Sequence, residues 1–200
     1  MKVILSILCS LLLSACGNNE FLTPLNSKQP ILAFGDSLTF GYGAKPDESY
    51  PAQLSQLLNI EVINAGVSGE KSDAGLKRLE SALDEYQPQL LILCHGGNDI
   101  LKKQSLSTMK QNLASMITMA QEREIQVVLV SVPGASLFLP DITEYSELAK
   151  EYNIPVENEI IKHILKQTEL RSDAVHPNAQ GYRLISESLY QLLADNGALK

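Results

Sequence analysis

"ILAFGDSLTFGYG", residues 31–43, decides how this chain folds. Four apolar residues run unbroken into Gly35-Asp36-Ser37, after which the sequence turns polar and glycine-rich. A short continuous apolar run bounded by turn residues marks a strand buried on both faces. The strand then gives way either to an ordinary strand-to-helix turn or to a turn that presents Ser37 as a nucleophile. The second reading requires a base elsewhere in the chain.

Outward from this stretch the pattern recurs. "EVINA" (61–65), "LLILC" (90–94) and "VVLVS" (127–131) are further apolar runs of strand length. "NIPV" (153–156) is a weaker candidate, because Pro155 has no N–H for a sheet ladder. Between the runs lie apolar stripes at helical spacing: Leu76, Leu79, Leu83 and Tyr86; Leu113, Met116, Ile117 and Ala120; Tyr145, Leu148, Ala149 and Tyr152; Ile160, Ile161, Ile164 and Leu165. A last stripe, Leu184, Ile185, Leu189 and Leu192, comes after "HPNAQGY", where Pro177 is expected in the first helical turn. This alternation predicts one α/β domain over residues 31–200, a mostly parallel five-stranded sheet with helices on both faces. Such sheets bind ligands beyond the carboxyl ends of their strands. There the chain carries "GDSLT", "GVSGE" and "HGGND", which neighbouring strands would gather in one place.

The net charge of −7, with both signs scattered, leaves no basic stripe to neutralise phosphates and argues against a nucleic-acid partner. "GYGAKP" lacks the third glycine of a dinucleotide loop, and the chain contains no P-loop, no H-E-x-x-H and no G-x-S-x-G.

Residues 1–15 read as a signal peptide: Lys2, then the apolar "VILSILCSLLLSA", too short to span a bilayer as a helix. Leu13-Ser14-Ala15-Cys16 resembles the bacterial lipobox, which implies lipidation of Cys16 and a membrane anchor, with Gly17 favouring the outer membrane in a Gram-negative host. Plain cleavage after Ala15, giving a soluble periplasmic or secreted protein, is the alternative. Residues 16–30 would then be the lipidated N-terminus and a flexible tether. Cys94, alone inside an apolar run, is expected to be a buried small hydrophobe.

Three histidines could serve Ser37 as a base. His163 sits beside Lys162 and is expected at the surface. His95 ends a strand near the expected site, but no carboxylate stands in an obvious place to orient it, so packing is its expected role. His176 comes three residues after Asp173 in "RSDAVHPN", a spacing that lets one short turn set the carboxylate against the ring. The competing reading is that the two residues merely cap the last helix.

"FGDSLTFGYG", "NAGVSGE", "GGND" and "DAVHPNAQGY", in this order, resemble the four blocks of the GDSL/SGNH hydrolases, most closely the bacterial thioesterase I, lysophospholipase and arylesterase subgroup. The resemblance covers nearly the whole expected domain. It implies a flavodoxin-like three-layer α/β/α fold and a serine esterase without metal or organic cofactor, acting on small acyl esters or thioesters through an acyl-enzyme. Residue by residue, it implies Ser37 as nucleophile, His176 as base and Asp173 as the orienting carboxylate. The oxyanion donors would be the Ser37 and Gly69 N–H groups and the Asn98 side-chain amide. Glycine at 69 would allow close backbone approach and glycine at 35 the tight turn, while Asp36 and Asp99 are expected to brace their own turns. Three features depart from the subgroup: Cys94-His95 replaces an acidic–aliphatic pair before "GGND", Glu70 stands where aspartate is usual, and the loop at 131–145 differs. A carbohydrate O-deacetylase of the same fold is an alternative that the absence of tryptophan disfavours. A surface lipoprotein that only binds a ligand is another, though such a protein would have no physical need of all five matched positions.

Overall fold

A computed structural model describes residues 21–136 and 138–199; Cys16 and the expected signal peptide lie outside them. Five parallel strands form one sheet: β1 (Ile31–Gly35), β2 (Val62–Gly66), β3 (Leu90–Cys94), β4 (Gln126–Val130) and β5 (Val156–Glu157), in the order β2-β1-β3-β4-β5. The two central strands, β1 and β3, are buried at every residue, as continuous apolar runs require. The weak fifth run becomes a two-residue edge strand that begins just after Pro155. There the Pro155 carbonyl accepts from the Leu129 N–H (3.0 Å), so the missing donor costs nothing.

Among the described residues, eight helices cover the sheet: α1 (Ser37–Phe40), α2 (Tyr50–Leu58), α3 (Ser72–Tyr86), α4 (Gly97–Leu101), α5 (Leu106–Gln121), α6 (Thr143–Tyr152), α7 (Ile160–Leu165) and α8 (Ala179–Asp195). Helices α3, α5 and α6 form one layer and α2, α7 and α8 the other. Their apolar stripes are the core: Leu79, Leu113, Met116, Ile117, Tyr145, Leu148, Ile164, Ile185 and Leu189 are buried. The expected three-layer α/β/α architecture is therefore the one observed.

Three details differ from expectation. Pro177 is not in the first turn of α8. It precedes the N-cap, Asn178, whose side chain accepts from the Gly181 N–H, and it pairs instead with Arg171 in an isolated antiparallel bridge. Gly35 serves close packing rather than a tight turn: a Cβ there would collide with the Cys94 carbonyl oxygen and the Thr39 hydroxyl. The third concerns the segment at 22–26, expected to be part of a flexible tether but held against the domain. Leu22 is buried, and the Leu22 and Leu25 N–H groups donate to the Asn196 and Ala198 carbonyls at 3.0 and 2.8 Å. The Thr23 and Asn26 N–H groups reach the side chains of Gln126 and Gln89, both 2.6 Å, at the starts of β4 and β3. An apolar anchor and four backbone bonds fix the chain at the amino ends of the strands. All the candidate functional segments lie at the other end.

Candidate active site

Parallel pairing aligns Gly35 with Gly66 on one side and with Cys94 on the other, so the chain leaves β1, β2 and β3 at the same level. Ser37, Gly69 and Asn98 come within a few residues of these ends. Asp36 caps α1, accepting from the Leu38 N–H (3.1 Å) through Oδ1. Ser37 is the first residue of that helix, so its own N–H has no helical acceptor.

The Ser37 Oγ lies 3.0 Å from His176 Nε2, and His176 Nδ1 lies 2.8 Å from Asp173 Oδ2. The turn that carries Asp173 and His176 is closed on itself. Asp173 Oδ1 accepts from the Val175 and His176 N–H groups at 2.8 and 2.9 Å, and the Ser172 N–H donates to the His176 carbonyl at 2.9 Å. Burial works against charge on Asp173, but hydrogen bonds from Val175 N–H and His176 outweigh it and hold the carboxyl below its ordinary value. An ionised Asp173 accepts from Nδ1–H, which leaves Nε2 as an acceptor for the Ser37 hydroxyl proton. The Tyr42 ring also packs on the imidazole, with centroids 4.5 Å apart.

Gly69 has φ +79°, a left-handed conformation that glycine takes without strain. No atom lies within 4 Å of where its Cβ would be, so the need is for the backbone angle rather than for close approach. Among the described residues, no backbone hydrogen bond engages the Ser37 or Gly69 N–H. The Asn98 Nδ2 donates to Asp36 Oδ2 at 3.3 Å, which uses one of its two hydrogens and leaves the other for a ligand. Ser37, His176 and Asp173 thus form one hydrogen-bonded chain at the carboxyl end of the sheet, Asn98 is tied beside it through Asp36, and Gly69 lies three residues past the end of β2. Beside them opens a mostly apolar cleft walled by Leu38, Ile100, Val132, Leu139 and Leu165, with Ser37, Asn98 and His176 in its lining. A larger depression of about 570 Å³ lies at the opposite end, around Gln89 and Gln126, far from any of these groups.

Sequence reasoning missed several participants. Asp36 does more than brace its own turn, because it also holds Asn98. Burial pushes its carboxyl up from the ordinary value. Asp99 serves a distant segment, accepting from the Ser72 N–H (2.8 Å) and hydroxyl (2.7 Å) at the start of α3. His95 does have a carboxylate. Its fully buried ring places Nε2 3.1 Å from Glu70 Oε2, while Nδ1 accepts from the Gly96 N–H at 3.0 Å. Two of the positions that depart from the subgroup pattern therefore touch each other. Arg78 completes this cluster, with Nε 2.8 and 2.9 Å from the two Glu70 oxygens. The available signal was a lone arginine at the spacing of Gly75 and Ala82, the small-residue side of α3. Cys94 is buried as expected, and burial pushes its thiol up, away from reactivity. His163 is exposed, also as expected.

Residues 33–184 match the GDSL-like lipase/acylhydrolase family. The chain is 28% identical to the esterase TesA of Pseudomonas aeruginosa over 195 residues, covering 92% of this chain and 97% of that protein. It is 30% identical to the thioesterase 1/protease 1/lysophospholipase L1 of Escherichia coli over 165 residues, or 78% and 79% of the two chains. Among solved structures it resembles a psychrotrophic esterase, EstA, from Pseudoalteromonas, inhibited by monoethylphosphonate: TM-score 0.76, 25% identity, 83% of this chain and 97% of that one.

Proposed function

The chain belongs to the GDSL-like lipase/acylhydrolase family, and from that premise we propose that it hydrolyses small carboxylic esters or thioesters through an acyl-enzyme formed on Ser37. The observation that carries the assignment is the unbroken chain of hydrogen bonds from the Ser37 hydroxyl through His176 to Asp173. As Ser37 Oγ attacks the acyl carbon, His176 Nε2 takes its proton, and Asp173 steadies the imidazolium without being protonated itself. The carbonyl oxygen becomes an oxyanion facing the Ser37 and Gly69 N–H groups and the Asn98 amide, all neutral donors fixed before reaction. Collapse returns the proton from His176 to the departing alcohol or thiol. Water then repeats the sequence, with His176 as base, and releases the acid and free Ser37. The mostly apolar cleft suits an acyl chain, and Ser37, Asn98 and His176 stand in its lining.

The test is hydrolysis of short p-nitrophenyl esters by the purified protein. Activity that disappears in Ser37→Ala while the melting temperature holds supports the reading. Activity that persists refutes it.

The same proposal includes a lipid anchor on Cys16, supported by the lipobox-like sequence. The chain joins the domain at Leu22, at the strand ends remote from Ser37. The short stretch from Cys16 to Leu22 can reach at most about 21 Å, so an anchored enzyme would present its cleft away from the anchoring membrane. A wild-type protein without acyl mass, or membrane association that survives Cys16→Ser, would contradict the anchor.

A further inference from the structure

We propose that Glu70 is a positioning residue of the oxyanion site, tying the segment that carries Gly69 to the segment that carries Asn98. The inference rests on the esterase reading above. The open Cβ side of Gly69 gives that residue no packing of its own, yet its N–H must hold one place if it is to bind an oxyanion. What fixes that segment is the next residue. The Glu70 side chain is almost fully buried, and its carboxylate meets two partners from different elements, Arg78 of α3 and His95 after β3. Burial alone would raise the Glu70 carboxyl, but hydrogen bonds from His95 and Arg78, together with the Arg78 charge, overcome this and lower it to about 2.

Each partner is anchored in turn. Arg78 Nη2 donates to the Gly35 carbonyl at 3.2 Å and the Ala65 carbonyl at 2.9 Å, the ends of β1 and β2, and its guanidinium lies 3.8 Å over the Phe34 ring. His95 holds the Gly96 N–H through Nδ1, and its carbonyl accepts from the Tyr145 hydroxyl at 2.8 Å. Asn98 stands two residues beyond Gly96. One carboxylate therefore links the three strand ends from which all three proposed donors project. Glutamate has the reach for both partners; an aspartate, one methylene shorter, could keep Arg78 but would retreat from His95.

None of these side chains borders the cleft. Loss of the link should therefore leave substrate binding alone and weaken only the donors that act on the oxyanion, where a shift of about 1 Å can cost 10²-fold. The experiment measures steady-state kinetics on a short p-nitrophenyl ester, with thermal melts, for wild type, Glu70→Gln, Glu70→Asp, Asn98→Ala and the Glu70→Gln/Asn98→Ala double variant. Glu70→Gln should lower kcat roughly 10- to 100-fold with KM within about twofold, and Glu70→Asp should fall between it and wild type. On the Asn98→Ala background the Glu70→Gln effect should shrink but persist, because the part that acts through Asn98 is gone while the Gly69 N–H still loses its support. If Glu70→Gln does not fold, Arg78→Lys and Glu70→Asp carry the same comparison. A Glu70→Gln enzyme with wild-type kcat, or an effect that multiplies in full with Asn98→Ala, overturns the inference. Inactive wild-type protein would instead refute the esterase reading beneath it.

Discussion

The described residues hold two histidine–carboxylate pairs, His176–Asp173 and His95–Glu70, with ring-to-oxygen distances of 2.8 and 3.1 Å. Their chemistry is the same and their surroundings are not. In the first pair the histidine side chain is 17% exposed and the aspartate 44%; in the second the values are 0% and 8%. The deciding difference is the second ring nitrogen. His176 turns it toward the Ser37 hydroxyl, whereas His95 spends it on the Gly96 N–H. A histidine beside a carboxylate is therefore a base only when its other nitrogen is open to a nucleophile. Otherwise it is a strut.

His176→Ala separates the two pairs most sharply. Removing the base should cost roughly 10⁴- to 10⁶-fold in kcat, since nucleophile and base act as a unit, and stability should barely change because the ring sits at the surface of the site. Steady-state kinetics with a thermal melt checks both. A variant that kept a tenth of wild-type activity would show that the pair is not catalytic.

Asn98→Ala probes the oxyanion donors that the His95–Glu70 pair positions. Loss of one oxyanion donor should lower kcat roughly 10²- to 10³-fold with little change in KM. A protein that melts early and keeps its kcat would assign Asn98 to its turn instead.

His95→Ala should show the opposite profile to His176→Ala. Emptying a fully buried site costs about 2–4 kcal/mol, or ~5–15 °C in melting temperature for a domain of this size. The kcat should fall roughly 10- to 100-fold, as in Glu70→Gln and far less than in His176→Ala, because the strut acts only through the donors it positions. Full loss of activity at wild-type stability would exchange the roles of the two histidines.

The smallest effect concerns acid. Glu70 has a folded value of about 2 against an ordinary 4.5, so its stabilising contribution is complete above 4.5 and is lost as pH falls toward 2. Glu70→Gln should therefore melt below wild type near neutral pH, and the gap should close between these two values. A gap that stays constant with pH would mean that charge on Glu70 is not what stabilises the cluster.

The two pairs also differ in how well they can be read from sequence. Asp173 and His176 lie three residues apart, so one turn explains them. Glu70 and His95 are 25 residues apart, and only the sheet brings them together. The same holds for Asp36 with Asn98, 62 apart, and Ser72 with Asp99, 27 apart. The central strands were legible because burial on both faces leaves continuous apolar runs. Helix α2 was not, being nine residues that open on Tyr50-Pro51 and bury mainly Tyr50, Pro51 and Leu54. The short α1 and α4, which carry Ser37 and Asn98, span four and five residues, too few for any periodicity to register. Nor could apolar spacing show that Leu22–Asn26 is clasped by Gln89 and Gln126, since that contact runs through backbone and side-chain amides.

The esterase mechanism turns on Ser37 being a nucleophile activated by His176, and a covalent probe reads that directly. Folded protein is treated with a fluorophosphonate, and the modified peptide is mapped by mass spectrometry. One adduct is expected, on Ser37, formed far more slowly in His176→Ala and not at all in protein unfolded before treatment. An adduct on Ser68 or Ser136, or equal labelling of native and unfolded protein, would contradict the assignment.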